Sequence, residues 1–228
     1  SGLYEDNTQF DKAEKYIIKS IDLQKKLFGT QNIEYAYRLN SHASILLNKG
    51  FYTKAFEKYN EVLDIYDDLG YQGYEKSNTL NDLGLAYWAF GDYKKAEKYL
   101  KESLEKTLDF VGRKNIDYAN TIHNLALVYS DLGLFQKSEE SFLESLKITR
   151  EEFGENTEET IKSYRDLASH YYMNGLTTKA YSFIQKAIKT SENVYGKNNL
   201  EVSRNYKNYG QILKLNKDFK KAITYTQK

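Results

Sequence analysis

The sequence predicts an all-α repeat solenoid, in which antiparallel helix pairs follow one another along the whole chain. Three observations predict this fold. None of the 228 residues is Pro, the residue that breaks helix interiors. Glycines recur in two columns at a spacing of 41 or 42 residues, which indicates two helix ends in every repeat. Between the glycines, apolar residues recur at helical spacing.

The two glycine columns divide each repeat into a first helix, A, and a second helix, B. Glycine ends helices because it accepts the left-handed backbone conformation. The columns are Gly50, Gly91, Gly133 and Gly175, and Gly29, Gly70, Gly112, Gly154 and Gly196. We expect A helices at about 33–49, 74–90, 116–132, 158–174 and 200–216, and B helices at about 9–28, 51–69, 93–111, 135–153, 177–195 and 218–228. Residues 1–228 then form a single solenoid domain of about five repeats.

Residues that cap helix N-termini precede the A helices. Asn and Thr side chains accept hydrogen bonds from the free N–H groups of the first turn, and Gly is also tolerated there. Acidic residues follow in the first turn, where they suit the positive end of the helix dipole. The predicted caps are Asn32, Gly73, Asn115, Thr157 and Asn199.

Small residues form one column in the A helices and another in the B helices. Without bulky side chains, the paired helices can approach closely, so we expect the two columns to face each other. The A column is Ala43, Gly84, Ala126, Ala168 and Gly210, and the B column is Ala55, Ala96, Ser138, Ala180 and Ala222.

The second repeat carries Leu80, Leu83-Gly84, Tyr87, Gly91, Tyr93 and Ala96 in a spacing that resembles the tetratricopeptide repeat. The period of 42, longer than the usual period of about 34, and the run Asn124-Leu125-Ala126 are similar to the kinesin-light-chain type. Asn-Ile or Asn-Leu replaces the His-Pro that usually begins the next A helix in that type, so descent from a kinesin light chain is not supported. The resemblance implies a right-handed superhelix whose A helices line a concave groove. It also implies a scaffold that binds extended peptides or helices there.

Composition excludes several function classes. The chain has no Cys, which rules out disulfides, cysteine-ligated zinc and thiol catalysis and fits a reducing, cytoplasmic location. Its formal net charge of +1 gives no overall attraction to nucleic acid or to an anionic membrane. No apolar run approaches the roughly 20 residues that a membrane span needs. We therefore predict neither nucleic-acid nor membrane partners.

The histidines give no sign of catalysis. His42, His123 and His170 lie on successive A helices in three different columns, and no HExxH motif is present. His42 and His170 occupy columns that are mainly apolar elsewhere, so we interpret them as packing residues. Paired carboxylates such as Glu139-Glu140 are interpreted as solvated helix surface. We find no nucleophile–base set, and predict no catalytic residue, no metal site and no cofactor.

Polar residues recur on the A helices where the groove is expected. The first polar column lies three residues before the small residue, the second lies two before it, and the third lies one turn earlier. An Asn side chain both donates and accepts, which suits a peptide backbone. The predicted groove residues are Asn40, Asn81, His123, Arg165 and Lys207 from the first column, Asn124 from the second, Tyr37, Asn78, Asn120, Lys162 and Arg204 from the third, and Trp88.

Alternatives to binding remain open for these columns. They could be ordinary solvated surface, or could form hydrogen bonds between neighbouring A helices. Trp88 could be exposed in the groove or buried between A helices. Basic residues gather in the last two repeats, which predicts a protein or peptide partner that is acidic at the C-terminal end of the groove.

The ends of the sequence also lead to expectations. The chain opens on a B helix without its A partner and closes on a shortened B helix, and neither end resembles the polar cap of a solenoid. We expect an excerpt of a longer protein, with possible self-association through these uncapped ends. An alternative function is a regulatory or structural arm of a larger enzyme whose catalytic domain lies outside this chain.

Overall fold

The structure, a computed structural model, describes the backbone of residues 2–215 and the side chains of residues 9–214. Ten α-helices and no strand occur in that part of the chain. The predicted B helix at 218–228 and the predicted small residue Ala222 lie outside it. The helices are α1 (Gly2–Phe28), α2 (Ile33–Asn48), α3 (Tyr52–Asp68), α4 (Tyr74–Phe90), α5 (Tyr93–Val111), α6 (Ile116–Asp131), α7 (Phe135–Phe153), α8 (Glu158–Met173), α9 (Thr177–Tyr195) and α10 (Leu200–Leu215).

Each helix end that falls within residues 9–215 lies within one residue of the predicted position, except the start of α1. That helix begins at Gly2 rather than at residue 9. Thr8 occupies the position where the later repeats carry a glycine stop, and neither Gly nor Pro occurs between Leu3 and Phe28. Nothing in this stretch ends a helix, so α1 continues through the expected turn.

The chain divides into two compact units, Ser1–Phe110 and Val111–Lys228. In the first unit, α1 packs on α2, α2 on α3, and α3 on α4. In the second unit, α6 packs on α7, α7 on α8, α8 on α9, and α9 on α10. Each unit is therefore a succession of helices that pack on their sequence neighbours, as predicted.

Both glycine columns end helices in the predicted way. All nine of these glycines have a positive φ, between 61° and 95°. At the end of α4, Gly91 has φ 91° and donates its N–H to the Trp88 carbonyl at 3.0 Å. Asp92 donates to the Tyr87 carbonyl at 2.9 Å. These bonds satisfy carbonyls that the helix itself leaves free.

Four of the five predicted caps use their side chains. The Gly73 cap of α4 has no side chain with which to accept a hydrogen bond, and its φ is −64°. The side-chain oxygens of Asn32, Asn115, Thr157 and Asn199 accept from the backbone N–H groups of Tyr35, Asp117, Thr160 and Glu201 at 2.8, 2.7, 3.2 and 2.8 Å.

The small residues bring A and B helices into close contact. The Ser138 hydroxyl of α7 donates to the Ala126 carbonyl of α6 at 2.8 Å. In the first unit, a Cβ added to Gly84 would lie 2.7 Å from Leu100 Cγ. Such an approach leaves no room for a side chain at Gly84, although the neighbour there is Leu100 rather than the small residue Ala96. The predicted contact between the two small columns is seen for Ala126 and Ser138.

Each unit has its own apolar core. The core of the first unit includes Leu39, Val62 and Tyr66, and that of the second includes Phe142 and Leu167, all at most 2% exposed. Among the helices that the structure describes, none is both long and apolar enough to cross a membrane.

Candidate protein-binding surface

In the first unit, the first polar column joins neighbouring A helices. Asn40 on α2 donates its Nδ2–H to Oδ2 of Asp82 on α4 at 3.0 Å. Burial raises the pKa of the Asp82 carboxyl, while hydrogen bonds from Asn40 and Asn81 oppose the shift. The side-chain oxygen of Asn40, Oδ1, is buried and has no hydrogen-bond partner among the described residues. Asn40 therefore holds two helices together.

In the second unit, His123 makes the corresponding contact. Its Nε2 lies 2.9 Å from Oδ2 of Asp166, so that α6 is joined to α8. His123 is only 4% exposed, and its ring packs edge-on against Phe142 at a centroid distance of 5.1 Å. For Asn40 and His123, hydrogen bonding between neighbouring A helices is thus the observed role. Polar contacts across one repeat period connect the helices in both units.

Tyr37 combines a helix-to-helix bond with an exposed ring. Its hydroxyl donates to Oε1 of Glu75 at 2.7 Å, and 46% of the residue is exposed. Glu75 also accepts from the Tyr71 hydroxyl. The two hydrogen bonds, that from Tyr71 first, lower the pKa of Glu75. Burial and the Glu75 carboxylate together raise the pKa of Tyr37, which keeps its hydroxyl protonated.

Two of the predicted basic residues are paired with acids. Arg165 on α8 donates from Nη1 to Oε2 of Glu201 on α10 at 2.8 Å, and its Nε lies 4.0 Å from Asp166. Arg204 pairs with the same Glu201. The hydrogen bond from Arg165, followed by the positive charges of both guanidinium groups, lowers the pKa of Glu201. Much of the positive charge expected from Arg165 and Arg204 is therefore balanced inside the chain.

The third polar column is exposed in both units. Asn78 on α4, Asn120 on α6, Lys162 on α8 and Arg204 on α10 are all exposed, like Tyr37 on α2. Lys207 on α10 is exposed as well. Among the described residues, Lys162 and Lys207 form no ion pair or hydrogen bond. These two ammonium groups are available to a partner.

The remaining predicted groove residues are intermediate. Trp88, Asn81 and Asn124 are half-buried, and each has an interaction within the chain. Trp88 is half-buried, which lies between the two environments expected for it, exposure in the groove and burial between A helices.

His170 is confirmed as a packing residue, and His42 is half-buried as predicted. His42 is half-buried, and its Nε2 lies 3.6 Å from Oε1 of Glu14. His170 is 2% exposed and stacks on Phe135 at a centroid distance of 4.7 Å. Within the described residues, no group of three or more His, Cys, Asp or Glu side chains is placed to hold a metal ion.

The acidic residues that complete these contacts were not predicted as site residues. Glu75 and Glu201 lie in the first turns of α4 and α10, where acidic residues were expected only to complement the helix dipole. In the structure each accepts hydrogen bonds from the preceding A helix. The available signal was the repeat period, because a polar residue on one A helix faces an acid about one repeat later.

Comparisons with known proteins agree with this architecture. A family model described as tetratricopeptide repeat matches residues 36–107, 117–180 and 166–228. No curated protein matches the sequence significantly. Repeats of this family generally act as non-catalytic scaffolds for protein–protein interaction.

Several solved structures are similar to the chain. BtubC (BKLC) from P. vanneervenii has a TM-score of 0.81 and 19% identity, over 96% of this chain and 88% of that one. A putative kinesin light chain with nearly identical TPR-like repeats from Podospora anserina has a TM-score of 0.74 and 16% identity, over 86% and 94%. MamA has a TM-score of 0.54 and 17% identity, over 83% and 92%. These identities establish a shared fold only. The fold is similar to that of the putative kinesin light chain repeats, and family-model matches over more than half of the sequence show that the chain belongs to the tetratricopeptide repeat family.

Proposed function

We propose that the chain holds a protein or peptide partner on the exposed third polar column of its A helices. The observation that carries this proposal is a difference between two sets of polar side chains on the A helices. Asn40 and His123 are used to join helices, whereas Asn78, Asn120 and Lys162 stand exposed one turn away. The polar groups of Asn78, Asn120 and Lys162 form no hydrogen bond or ion pair among the described residues, so they are available for recognition.

In the first unit, the exposed side chains suit a peptide backbone. Asn78 can donate and accept at once, as the alternating groups of an extended peptide require. Tyr37 offers an exposed ring whose hydroxyl is fixed by Glu75. A tyrosine held in one orientation loses little conformational entropy on binding, which favours it as a contact residue.

In the second unit, the exposed side chains suit an acidic partner. Lys162 on α8 and Lys207 on α10 have no acidic partner among the described residues, and Arg204 is exposed beside its partner Glu201. Carboxylates of a partner would form charge-assisted hydrogen bonds with these free ammonium groups. Because the groups are exposed, they would contribute more to association rate and specificity than to affinity.

The test is selection of binding peptides from a displayed random library against the immobilised chain. We expect acidic peptides to be enriched. An enriched peptide should bind the Lys162→Glu/Lys207→Glu variant about 3- to 10-fold more weakly, since each exposed ion pair contributes about 0.2–1 kcal/mol and reversal adds repulsion. Its affinity for the unaltered chain should also fall as salt is raised.

The matched control is Lys15→Glu/Lys19→Glu, which reverses two exposed lysines on α1 that form no ion pair among the described residues. This variant should bind the peptide as the unaltered chain does. The proposed basic surface would be contradicted if the enriched peptides were not acidic. It would also be contradicted if both variants lost the same affinity for the peptide.

A further inference from the structure

The second unit contains a cleft lined mainly by its B helices, and no residue of the polar columns is among its lining residues. Its volume is about 590 Å³. The cleft lies between α7 and α9, with Tyr164 of α8 at its base. Its lining includes Leu143, Leu146, Lys147, Arg150, Glu151, Glu155, Tyr164, Phe183 and Lys186, and Lys189 lines the adjoining hollow.

The floor of the cleft is apolar. Leu146 and Tyr164 are buried, at 6% and 1% exposed, while Leu143 remains 40% exposed and Phe183 is half-buried. Lys186 Nζ lies 5.0 Å from the centre of the Phe183 ring. An apolar side chain that covered Leu143 and Phe183 would remove their exposed surface from water, which is favourable.

The rim of the cleft is basic. Four cations, Lys147, Arg150, Lys186 and Lys189, face two carboxylates, Glu151 and Glu155. Glu155 is already engaged, because it accepts hydrogen bonds from Arg150 and from the Tyr164 hydroxyl. Lys147 and Lys189 are exposed and have no acidic partner among the described residues. The rim therefore favours an acidic occupant.

The same repeat positions carry the opposite charge earlier in the chain. The position that is Lys189 in α9 and Lys147 in α7 is Glu105 in α5 and Asp64 in α3. The position of Lys186 is Glu144, Glu102 and Glu61 in the preceding B helices. The first position thus changes from acidic to basic between the first and the second unit, and the second position does so between α7 and α9, within the second unit.

The last two turns of α3 complement the cleft. Asp64 and Asp68 are exposed and lie four residues apart on one helix face. Neither pairs with a cation among the described residues, whereas Glu61 pairs with Lys58 and Asp67 with Lys76. Leu69 follows directly and is 41% exposed. Two free carboxylates beside an exposed leucine match two free ammonium groups beside an apolar floor.

We propose that this cleft receives the end of α3, residues Asp64, Asp68 and Leu69, from a second copy of the chain. The surfaces in contact differ, so the contact is head-to-tail and each copy offers one surface of each kind. Such contacts build open-ended chains of copies unless the geometry closes into a ring. The charge pairs lie at the surface, so association is weak and salt-dependent.

The first experiment is sedimentation equilibrium over a range of protein concentrations up to about 1 mM, where association of about 4 kcal/mol becomes visible. At low salt, the weight-average mass should rise with concentration above the monomer mass of 26.6 kDa. At about 0.5 M salt, where charges are strongly screened, the rise should shrink. A monomer at every concentration at low salt would overturn the proposal.

Neutral variants locate the contact. Lys147→Ser/Lys189→Ser removes the free rim charges, and Asp64→Asn/Asp68→Asn removes the free acids of α3. Each variant alone should remain monomeric. An equimolar mixture should form a 1:1 complex and no larger species, because one functional surface remains on each partner.

Lys15→Ser/Lys19→Ser on α1 is the matched control and should associate like the unaltered chain. Association that survives in both the cleft variant and the α3 variant would place the contact elsewhere, for example at the chain ends, and would overturn the proposal. A mixture that stays monomeric would overturn it too.

Discussion

The hydrogen bonds around His170 fix the position of its proton. Ser138 has one hydroxyl hydrogen, which it donates to the Ala126 carbonyl. The contact of 3.1 Å between Ser138 Oγ and His170 Nδ1 therefore requires Nδ1 to donate. Nε2 is then the unprotonated nitrogen, and it is buried with no hydrogen-bond partner in the part of the chain that the structure describes. Only the neutral imidazole fits this site.

His170 should make the stability of the chain sensitive to acid. Burial lowers the pKa of His170 below its ordinary value of 6.5, Glu139 partly opposes this shift, and Lys179 adds to it. The unfolded chain then binds the proton more readily, so stability is lost as pH falls through 6.5 toward the folded pKa. Urea unfolding of the unaltered chain and of His170→Val between pH 8 and pH 5 measures this effect.

The His170→Val variant should lose less stability than the unaltered chain between pH 8 and pH 5. The difference between the two proteins at pH 8 reports the packing change and the lost hydrogen bond to Ser138, since the imidazole is neutral there in both the folded and unfolded states. Parallel pH profiles for the two proteins would contradict the assignment of a buried neutral imidazole.

Asp82 is a second residue whose ionisation opposes folding. Its folded pKa is raised above 3.8, so the charged carboxylate costs stability at neutral pH, and this cost disappears as pH falls through the folded pKa toward 3.8. Asp82→Asn removes the charge and keeps a side-chain oxygen that can accept from Asn40 Nδ2. We expect this variant to be about 1 kcal/mol more stable at pH 7 by urea unfolding.

Asp82→Ala provides the comparison for this prediction. It removes the acceptor of the Asn40 Nδ2–H and should destabilise the chain by about 1 kcal/mol. If the Asn and Ala variants lost the same stability, the carboxylate itself would be the favourable group. The gain of the Asn variant should also shrink as pH falls, because the unaltered Asp82 then becomes protonated.

At the scale of the helices, the N-cap residues Asn115 and Asn32 differ in the number of hydrogen bonds that their side chains form. Asn115 accepts one backbone hydrogen bond, from Asp117. Asn32 accepts from Tyr35 and from Gln24 Nε2, and donates to the Phe28 and Gly29 carbonyls. Asn32 therefore joins the end of α1 to the start of α2, in addition to capping α2.

Removing these caps should have different costs. Asn115→Ala should destabilise the chain by about 1 kcal/mol, the usual cost of losing one cap. Asn32→Ala should cost about 2 kcal/mol, because further hydrogen bonds are lost with the cap. Urea unfolding measures both. Asn78→Ala, at an exposed position of α4, should stay within about 0.5 kcal/mol of the unaltered chain. Equal losses at Asn32 and Asn115 would show that the additional bonds contribute nothing.

The helix ends were predictable because their causes are local. A glycine such as Gly91 and a cap such as Asn115 act within a few residues of the helix end that they define. The roles of the polar columns were not predictable from the sequence, because the partner of Asn40 lies 42 residues away. Whether Asn40 faces Asp82 or solvent depends on how α2 packs against α4, which no local pattern specifies. The same reason explains why Arg165 was predicted as a groove cation and is found paired with Glu201.

At the scale of the whole molecule, the two units should be able to fold separately. Each has its own apolar core, and its helices pack on sequence neighbours. Repeat proteins of this kind derive their stability from each repeat and its nearest neighbours. Residues 1–110 and 111–228, produced as separate fragments, should each be helical. Their far-UV circular dichroism, weighted by length, should sum to nearly the helical signal of the whole chain.

A second cut provides the control for this prediction. Division after residue 84 interrupts α4 (Tyr74–Phe90) and separates Gly84 from the Leu100 side chain that it contacts. These fragments should lose helical signal relative to the whole chain. If the 1–110 or 111–228 fragment were unfolded alone, the units would depend on each other for folding.

The hydrogen bonds of Asn40 and His123 lie one helical turn away from the exposed Asn78, Asn120 and Lys162. A substitution at the exposed positions leaves the bonds between helices intact, so it alters the recognised surface at little cost to stability. Related chains could therefore diverge in what they recognise while inheriting the same framework. In such a protein, specificity and foldability are properties that evolution can change one at a time.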